Sequence, residues 1–329
     1  MNVGELLPLP ELRAHRATIE DELRRSVVGE DPFLTEVASH LLTAGGQRWR
    51  PMLCVASGLA AGGDVTHDLV RGACSVELVH LGSLYHDDVI DEAPTRRTVQ
   101  SVNARWGNLT AIVAGDFLLA RASEIAASLG TEVAGLLAAT IGRLCEGEVR
   151  ELQTVFQTGR SEGSYFASIA GKTGSLLASS CRIGALVAGL ERAHVDALTL
   201  FGEAFGVVFQ IVDDIKDLVL TEAELGKPAG HDLLEGVYTL PVLRAMALAD
   251  GDELRALLGR PIERPEAEKA RHIVRASGGV DSAVQTARDW ADRATAALTP
   301  LGSNDAVDAL GRLGHSLLDQ LPASSDLGG

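Results

Sequence analysis

Asp87 and Asp91 lie four residues apart in Tyr85-His86-Asp87-Asp88-Val89-Ile90-Asp91-Glu92, at the end of an apolar stretch. Asp213 and Asp217 repeat the arrangement in Phe209-Gln210-Ile211-Val212-Asp213-Asp214-Ile215-Lys216-Asp217. On a helix, residues so spaced share one face, about 6 Å apart along the axis. Like charges there weaken the helix, and burying them unpaired costs far more. Each cluster therefore asks for a cation. Mg2+ suits, because it takes one or two carboxylates and completes its octahedron with waters and phosphate oxygens. Two facing clusters would hold several such ions around one diphosphate. Calcium in an EF-hand is a poorer match, since no segment has that loop with glycine at its sixth position. The bland alternative is a pair of solvated acidic helix ends. One such motif arises readily by chance; two, each on a strongly apolar helix, favour the metal.

A diphosphate also needs donors. Gly45-Gly46-Gln47-Arg48-Trp49-Arg50-Pro51 breaks the helical pattern and offers backbone amides and guanidinium forks. Arg96-Arg97 follow the first cluster on a loop after Pro94, where adjacent arginines point to different sides. Lys172-Thr173, between Gly171 and Gly174, mark a helix kink suited to a phosphate. Gln210 stands one turn before Asp213. His80, seven residues before Asp87, shares its face, although a lone histidine near an apolar face is ordinarily a satisfied core residue. Lys216 reads as an exposed helical salt bridge to its own cluster.

These groups need rigid carriers, and the chain supplies helices. Apolar residues recur at helical spacing almost everywhere: Val70, Ala73, Cys74, Val76, Leu78, Leu81 and Leu84, with Glu77 among them, line one broad face. No run of alternating β-branched residues bounded by tight turns stands out. Gly- and Pro-rich breaks separate roughly ten to twelve helical segments, and none is long enough for a domain linker. The expectation is an all-α single domain over residues 1–321, with a disordered tail at 322–329.

The 329 residues carry a net charge of −16. That disfavours a nucleic-acid partner and a polybasic membrane contact. Cys54, Cys74, Cys145 and Cys181 show no zinc spacing and read as reduced core cysteines. The N-terminus lacks a signal-peptide core. The most apolar stretch, Leu198–Val212, is short for a membrane span and contains Glu203. A soluble, cytoplasmic protein with no integral membrane segment is expected.

The segments GGQRWRP, HLGSLYHDDVIDEAPTRR, AGDFLLARA, GKTGSLLA, FQIVDDIKD and GKPAGHDLLEGVYTLP, in this order over residues from about 40 to 245, resemble the trans-isoprenyl diphosphate synthases, or polyprenyl synthetases. The resemblance implies a homodimer of helical bundles, each with antiparallel helices around a deep central cavity. It also implies Mg2+, with three ions once substrate is bound. Asp87, Asp88 and Asp91 look like the first aspartate-rich motif and Asp213, Asp214 and Asp217 like the second; Asp87, Asp91, Asp213 and Asp217 would hold metal. Arg96, Lys172, Thr173, Gln210 and Lys227 match allylic-diphosphate ligands, Lys172 also serving catalysis. Gln47, Arg50, His80 and Arg97 match the isopentenyl diphosphate site. Two departures remove positive charge: the family usually has lysine at Gln47 and often at Val237.

The implied reaction joins isopentenyl diphosphate to farnesyl or geranylgeranyl diphosphate. Gly82 and Ser83, about one turn below Asp87, are small where short-chain relatives carry aromatic residues, so a long product, roughly hepta- to nonaprenyl, is expected. Close helix packing is the other explanation of their size, and Leu118 or Leu119 could cap the tunnel sooner. A subunit of a heteromeric synthase and a shorter-chain geranylgeranyl diphosphate synthase are the alternatives. A class I terpene cyclase fits less well, given the second DDxxD and only 4% aromatic residues.

Overall fold

The computed structural model describes residues 3–225, 229–248 and 251–322. Counting helices of eight residues or more among them, α1 is Pro10–Ser26, α2 Pro32–Thr43, α3 Trp49–Leu59, α4 His67–Ile90, α5 Asn108–Ser128 and α6 Thr131–Leu152. Next come α7 (Glu162–Ile169), α8 (Ser175–Val187), α9 (Arg192–Val219), α10 (Leu240–Ala247), α11 (Arg264–Ala276), α12 (Gly279–Ala297) and α13 (Asp305–Leu318). The all-α class is as expected. The exception among the described residues is a two-residue β-pair in which Thr95 faces Gln100 and Arg96 faces Val99. Residues 323–329, most of the expected tail, lie outside the described residues.

Contacts divide the chain into two compact units, each assembled from separate stretches. The first comprises Met1–Ile141, Leu176–Gly202 and Leu298–Leu310; the second Gly142–Ser175, Glu203–Ala297 and Gly311–Gly329.

In the first unit α4 is the buried spine. Thr66 starts it, its hydroxyl accepting the Leu69 amide at 3.1 Å, which satisfies a donor the helix itself cannot. Leu69, Val70, Ala73, Val76, Leu78, Val79 and Leu81 are then buried in succession. The helix packs chiefly on α5, with α3 and α1 beside it. Gly82 sets the α4–α5 approach: a Cβ there would stand 3.0 Å from the Gly115 carbonyl and 3.1 Å from Leu119. Tyr85, fully buried, donates to Val37 O at 2.7 Å and ties α4 to α2.

In the second unit the kink expected at Gly171–Gly174 is a π-helical turn, Ala170–Gly174, between α7 and α8. Such turns recur at functional sites because they redirect side chains without ending the helix. Its backbone lies against α6: a Cβ on Gly147 would be 2.5 Å from Lys172 N.

Helix α9 extends well beyond the apolar stretch marked in the sequence. By length and composition it could cross a membrane, yet 67% of its most apolar window is buried and it carries Asp213, Asp214 and Asp217. Those features are those of a core helix. Cys54, Cys74 and Cys181 are buried as expected, whereas Cys145 is exposed.

Candidate active site

In the first unit two short stretches deliver cations to one place. Arg48 (φ 61°) and Arg97 (φ 52°) both adopt the left-handed conformation, which costs a non-glycine residue free energy and is kept where surrounding contacts enforce it. Arg97 and Thr98 (φ 66°) form the turn of the small β-pair, a position that favours glycine and asparagine. The Gly45 carbonyl accepts from Nη1 of both Arg48 and Arg97. Gly46 has to be glycine, since a Cβ would meet both guanidinium groups at 2.9 Å.

The buried Arg48 is fully occupied. It donates to Glu20 (2.8 and 3.1 Å), to Glu77 (3.0 Å) and to Leu42 O (3.0 Å). Removing one member of so buried a set leaves an uncompensated charge and costs about 3–5 kcal/mol. Arg48 is thus a strut for the loop rather than a free ligand.

Arg50 differs. Its Nε is buried without a hydrogen-bond partner. Burial pushes its guanidinium down to about 10, against the pull of Glu77, so it stays charged at neutral pH. His80 faces the same groups; burial, then Arg50 and Arg97, hold its imidazole well below the ordinary value. It is therefore a neutral hydrogen-bonding group beside permanent cations. Gln47, expected here, is exposed, with its side-chain oxygen 3.4 Å from Val3 N.

Within the first cluster the aspartates divide. Asp87 is half-buried and Asp91, the C-cap of α4, is exposed. Asp88 is buried, its Oδ1 2.7 Å from Arg96 Nε and Nη2, and its Oδ2 has no hydrogen-bond partner. Arg96, expected on the allylic diphosphate, is held by Asp88 here. Burial still pushes the Asp88 carboxyl up, with Arg96 opposing.

The second unit repeats the division. Asp213 is exposed, while Asp214 is buried, with Tyr165 donating to it at 2.5 Å and Gln210 Nε2 at 2.8 Å. Burial pushes the Asp214 carboxyl well above the usual range. Thr173 Oγ1 donates to Gln210 at 2.6 Å, so two expected ligands form one chain of hydrogen bonds ending on Asp214. Asp217 departs from the expected open face: it is buried, and its Oδ2 accepts the Asp232 amide at 3.2 Å because the chain after α9 folds back over it. Lys216 is also a correction. It is buried, not exposed, and burial lowers its ammonium despite Asp213.

Lys172, placed by the π turn, lies 2.8 Å from Glu148 and 2.7 Å from Glu151. Lys227 lies outside the described residues. Val237, half-buried, gives its amide to Asp232 O at 2.8 Å.

Sequence reading missed Glu20, Glu77, Glu148, Glu151, Arg160 and Tyr165. A helical wheel puts Glu148 and Glu151 on one face, but nothing in it reveals their partner. Glu77 sits among apolar residues as an unexplained buried charge, and that was the available signal.

No three acidic or histidine side chains converge as a metal site among the described residues. The donors themselves fit a hard divalent ion: all are carboxylate oxygens, and Mg2+ asks for only one or two of them before water and phosphate complete its shell.

The polyprenyl synthetase family model matches residues 31–276. The chain belongs to that family and is a prenyltransferase with the all-α isoprenoid synthase fold. It is 37% identical over 298 residues to a nonaprenyl diphosphate synthase from Mycobacterium tuberculosis, covering 89% of each chain. It is 38% identical to heptaprenyl diphosphate synthase component 2 from Geobacillus stearothermophilus, covering 88% of this chain and 91% of that one. A polyprenyl synthase from Caulobacter crescentus, solved with calcium and isoprenyl diphosphate, superposes with a TM-score of 0.90 at 32% identity, over 97% of this chain and 98% of that one. Divalent-metal use is thereby a property of the family's structures.

Proposed function

We propose that this chain condenses isopentenyl diphosphate with farnesyl or geranylgeranyl diphosphate and repeats the step to give a long all-trans polyprenyl diphosphate. The observation that carries the reading is the cationic cradle in the same unit as the first DDxxD cluster, where Arg50 has a buried, unused donor. Arg50, Arg97 and neutral His80 bind and orient the isopentenyl diphosphate. Lys172, with the Thr173–Gln210 chain, serves the allylic diphosphate. Mg2+, three ions with substrate present, when bound supplies charge neutralisation for the leaving diphosphate. Asp87, Asp91, Asp213 and Asp217 would hold it, and Asp88 and Asp214, tied down by Arg96 and Tyr165, would keep the clusters in place. Preorganised charge and positioning then carry the rate. The proton lost from the new chain goes to the departing diphosphate, so no side-chain base is needed.

Product length rests on Ser83. Gly82 is accounted for by its contact with Gly115 and Leu119, whereas Ser83 is half-buried one turn before Asp87. Ser83→Phe is expected to shorten the product by at least one isoprene unit, read by reversed-phase separation of the dephosphorylated prenols. An unchanged distribution would remove Ser83 from the tunnel.

The reading as a whole is tested by incubating purified protein with Mg2+, labelled isopentenyl diphosphate and farnesyl diphosphate. A ladder of long products, lost on adding a chelator and restored by Mg2+, is expected. A homodimer is proposed as well, because α5 leaves Leu109 (82% exposed), Ile112 and Val113 on its surface, an apolar stripe of the kind that subunit contacts cover. The relative named component 2 gives the second reading, a subunit that needs a different chain; absence of any ladder from a folded protein would favour it. A cytoplasmic site of action is part of the same proposal, in keeping with the net charge of −16.

A further inference from the structure

Arg160 lies between α6 and α7 in the second unit and is 7% exposed. Its Nη1 donates to Tyr238 O at 3.1 Å, while Nε and Nη2 are buried with no hydrogen-bond partner. Its Cζ stands 5.6 Å from the ring centroid of Tyr165, the residue that donates to Asp214. Burial lowers the guanidinium from its ordinary value, and among the charges that oppose this Glu151 acts most strongly, ahead of Asp214. A buried guanidinium with two idle donors is expensive unless another state uses them.

Glu151 supplies the reason. Together with Glu148 it grips Lys172. Two carboxylates around one ammonium leave that trio net negative, so Lys172 as it stands offers a diphosphate no net attraction.

We propose that Arg160 is a positioning residue whose Nε and Nη2 take over the Glu151 carboxylate when Lys172 turns to the substrate diphosphate. This rests on Lys172 being a diphosphate ligand, as read above. The Nε–Nη2 edge of a guanidinium matches a carboxylate with two parallel hydrogen bonds. Glu151 then stays neutralised in both states, and no bond or proton is transferred. The exchange converts a pocket that is negative when empty into one with a free ammonium when substrate arrives.

Calorimetric binding of inorganic diphosphate at saturating Mg2+ tests the exchange, using native protein, Arg160→Met, Glu151→Gln and the double variant, each checked by thermal melting. Arg160→Met is expected to weaken binding about tenfold, the size of a typical coupling within one charge network. Glu151→Gln is expected to tighten it, since Lys172 is then held by Glu148 alone. In that background Lys172 is held by Glu148 alone and Arg160 has no Glu151 carboxylate to take over, so Arg160→Met changes binding by less than about twofold. An equal loss in both backgrounds would make Arg160 a general source of positive charge and overturn the exchange, as would no loss at all. If Arg160→Met does not fold, Arg160→Lys takes its place: a point charge without the fork is expected to weaken binding about threefold, and the loss again disappears with Glu151→Gln. Native protein that binds diphosphate and elongates while the variants behave additively refutes the exchange alone. Native protein that does neither refutes the reading of Lys172 with it.

Discussion

Asp87→Ala is expected to lower kcat/KM for chain elongation by about a thousandfold or more, the upper end of what removing one preorganised electrostatic group costs. Asp87 is half-buried on the last turn of α4, with Asp91 one turn on as the helix C-cap. The fold has little reason to suffer. Relief of like-charge repulsion at this spacing is worth about 0.2–0.5 kcal/mol and offsets the lost support that Asp87 gives the Arg50 charge, so the melting temperature should change little. Asp88→Ala should behave differently, because it strips Arg96 of its partner and costs stability as well as activity. Steady-state rates and melting curves of the two variants, taken together, make the check. Elongation by Asp87→Ala within tenfold of the native rate would remove the first cluster from the chemistry.

Arg50→Met is the second large effect, and its sign differs between function and stability. The Arg50 side chain is half-buried, its guanidinium is pushed down to about 10 by desolvation, and its buried Nε is unused. Arg97 opposes its charge while Glu77 supports it. An apolar side chain of similar volume removes the desolvation cost, and such replacements of buried charge are often neutral or stabilising. The isopentenyl diphosphate would lose a charge-assisted contact worth about 1.5–3 kcal/mol, which predicts a KM for that substrate raised about ten- to a hundredfold. The KM for the allylic substrate should move far less. A fall in melting temperature with an unchanged KM would instead make Arg50 structural.

Much of this was legible beforehand. The two DDxxD motifs, the Gly45–Pro51 loop, the Arg96-Arg97 pair and the Lys172-Thr173 kink all declare themselves through residue type and local spacing. Helical periodicity is likewise local, and the all-α class follows from it. Which aspartate is buried, and against which partner, was hidden. In each motif the first is accessible and the second is buried, bound by Arg96 in one case and by Tyr165 and Gln210 in the other. Those partners lie 8 and 49 residues away for Arg96 and Tyr165, and no helical repeat connects them.

The same boundary explains the corrections. Lys216 looked exposed because spacing reports only its own helix, whereas burial depends on what packs against α9. Gly82 reads as a tunnel residue by its smallness, and the Gly115 carbonyl, 3.0 Å from where its Cβ would stand, gives that smallness a packing reason as well. By itself, then, the sequence determined the helices, the metal-seeking carboxylates and the family, since each is encoded in neighbouring residues. Tertiary structure alone decided that Arg48 is a strut, that Arg50 keeps an idle donor, and that Lys172 is gripped by Glu148 and Glu151, because charge pairing and desolvation arise only where distant segments meet.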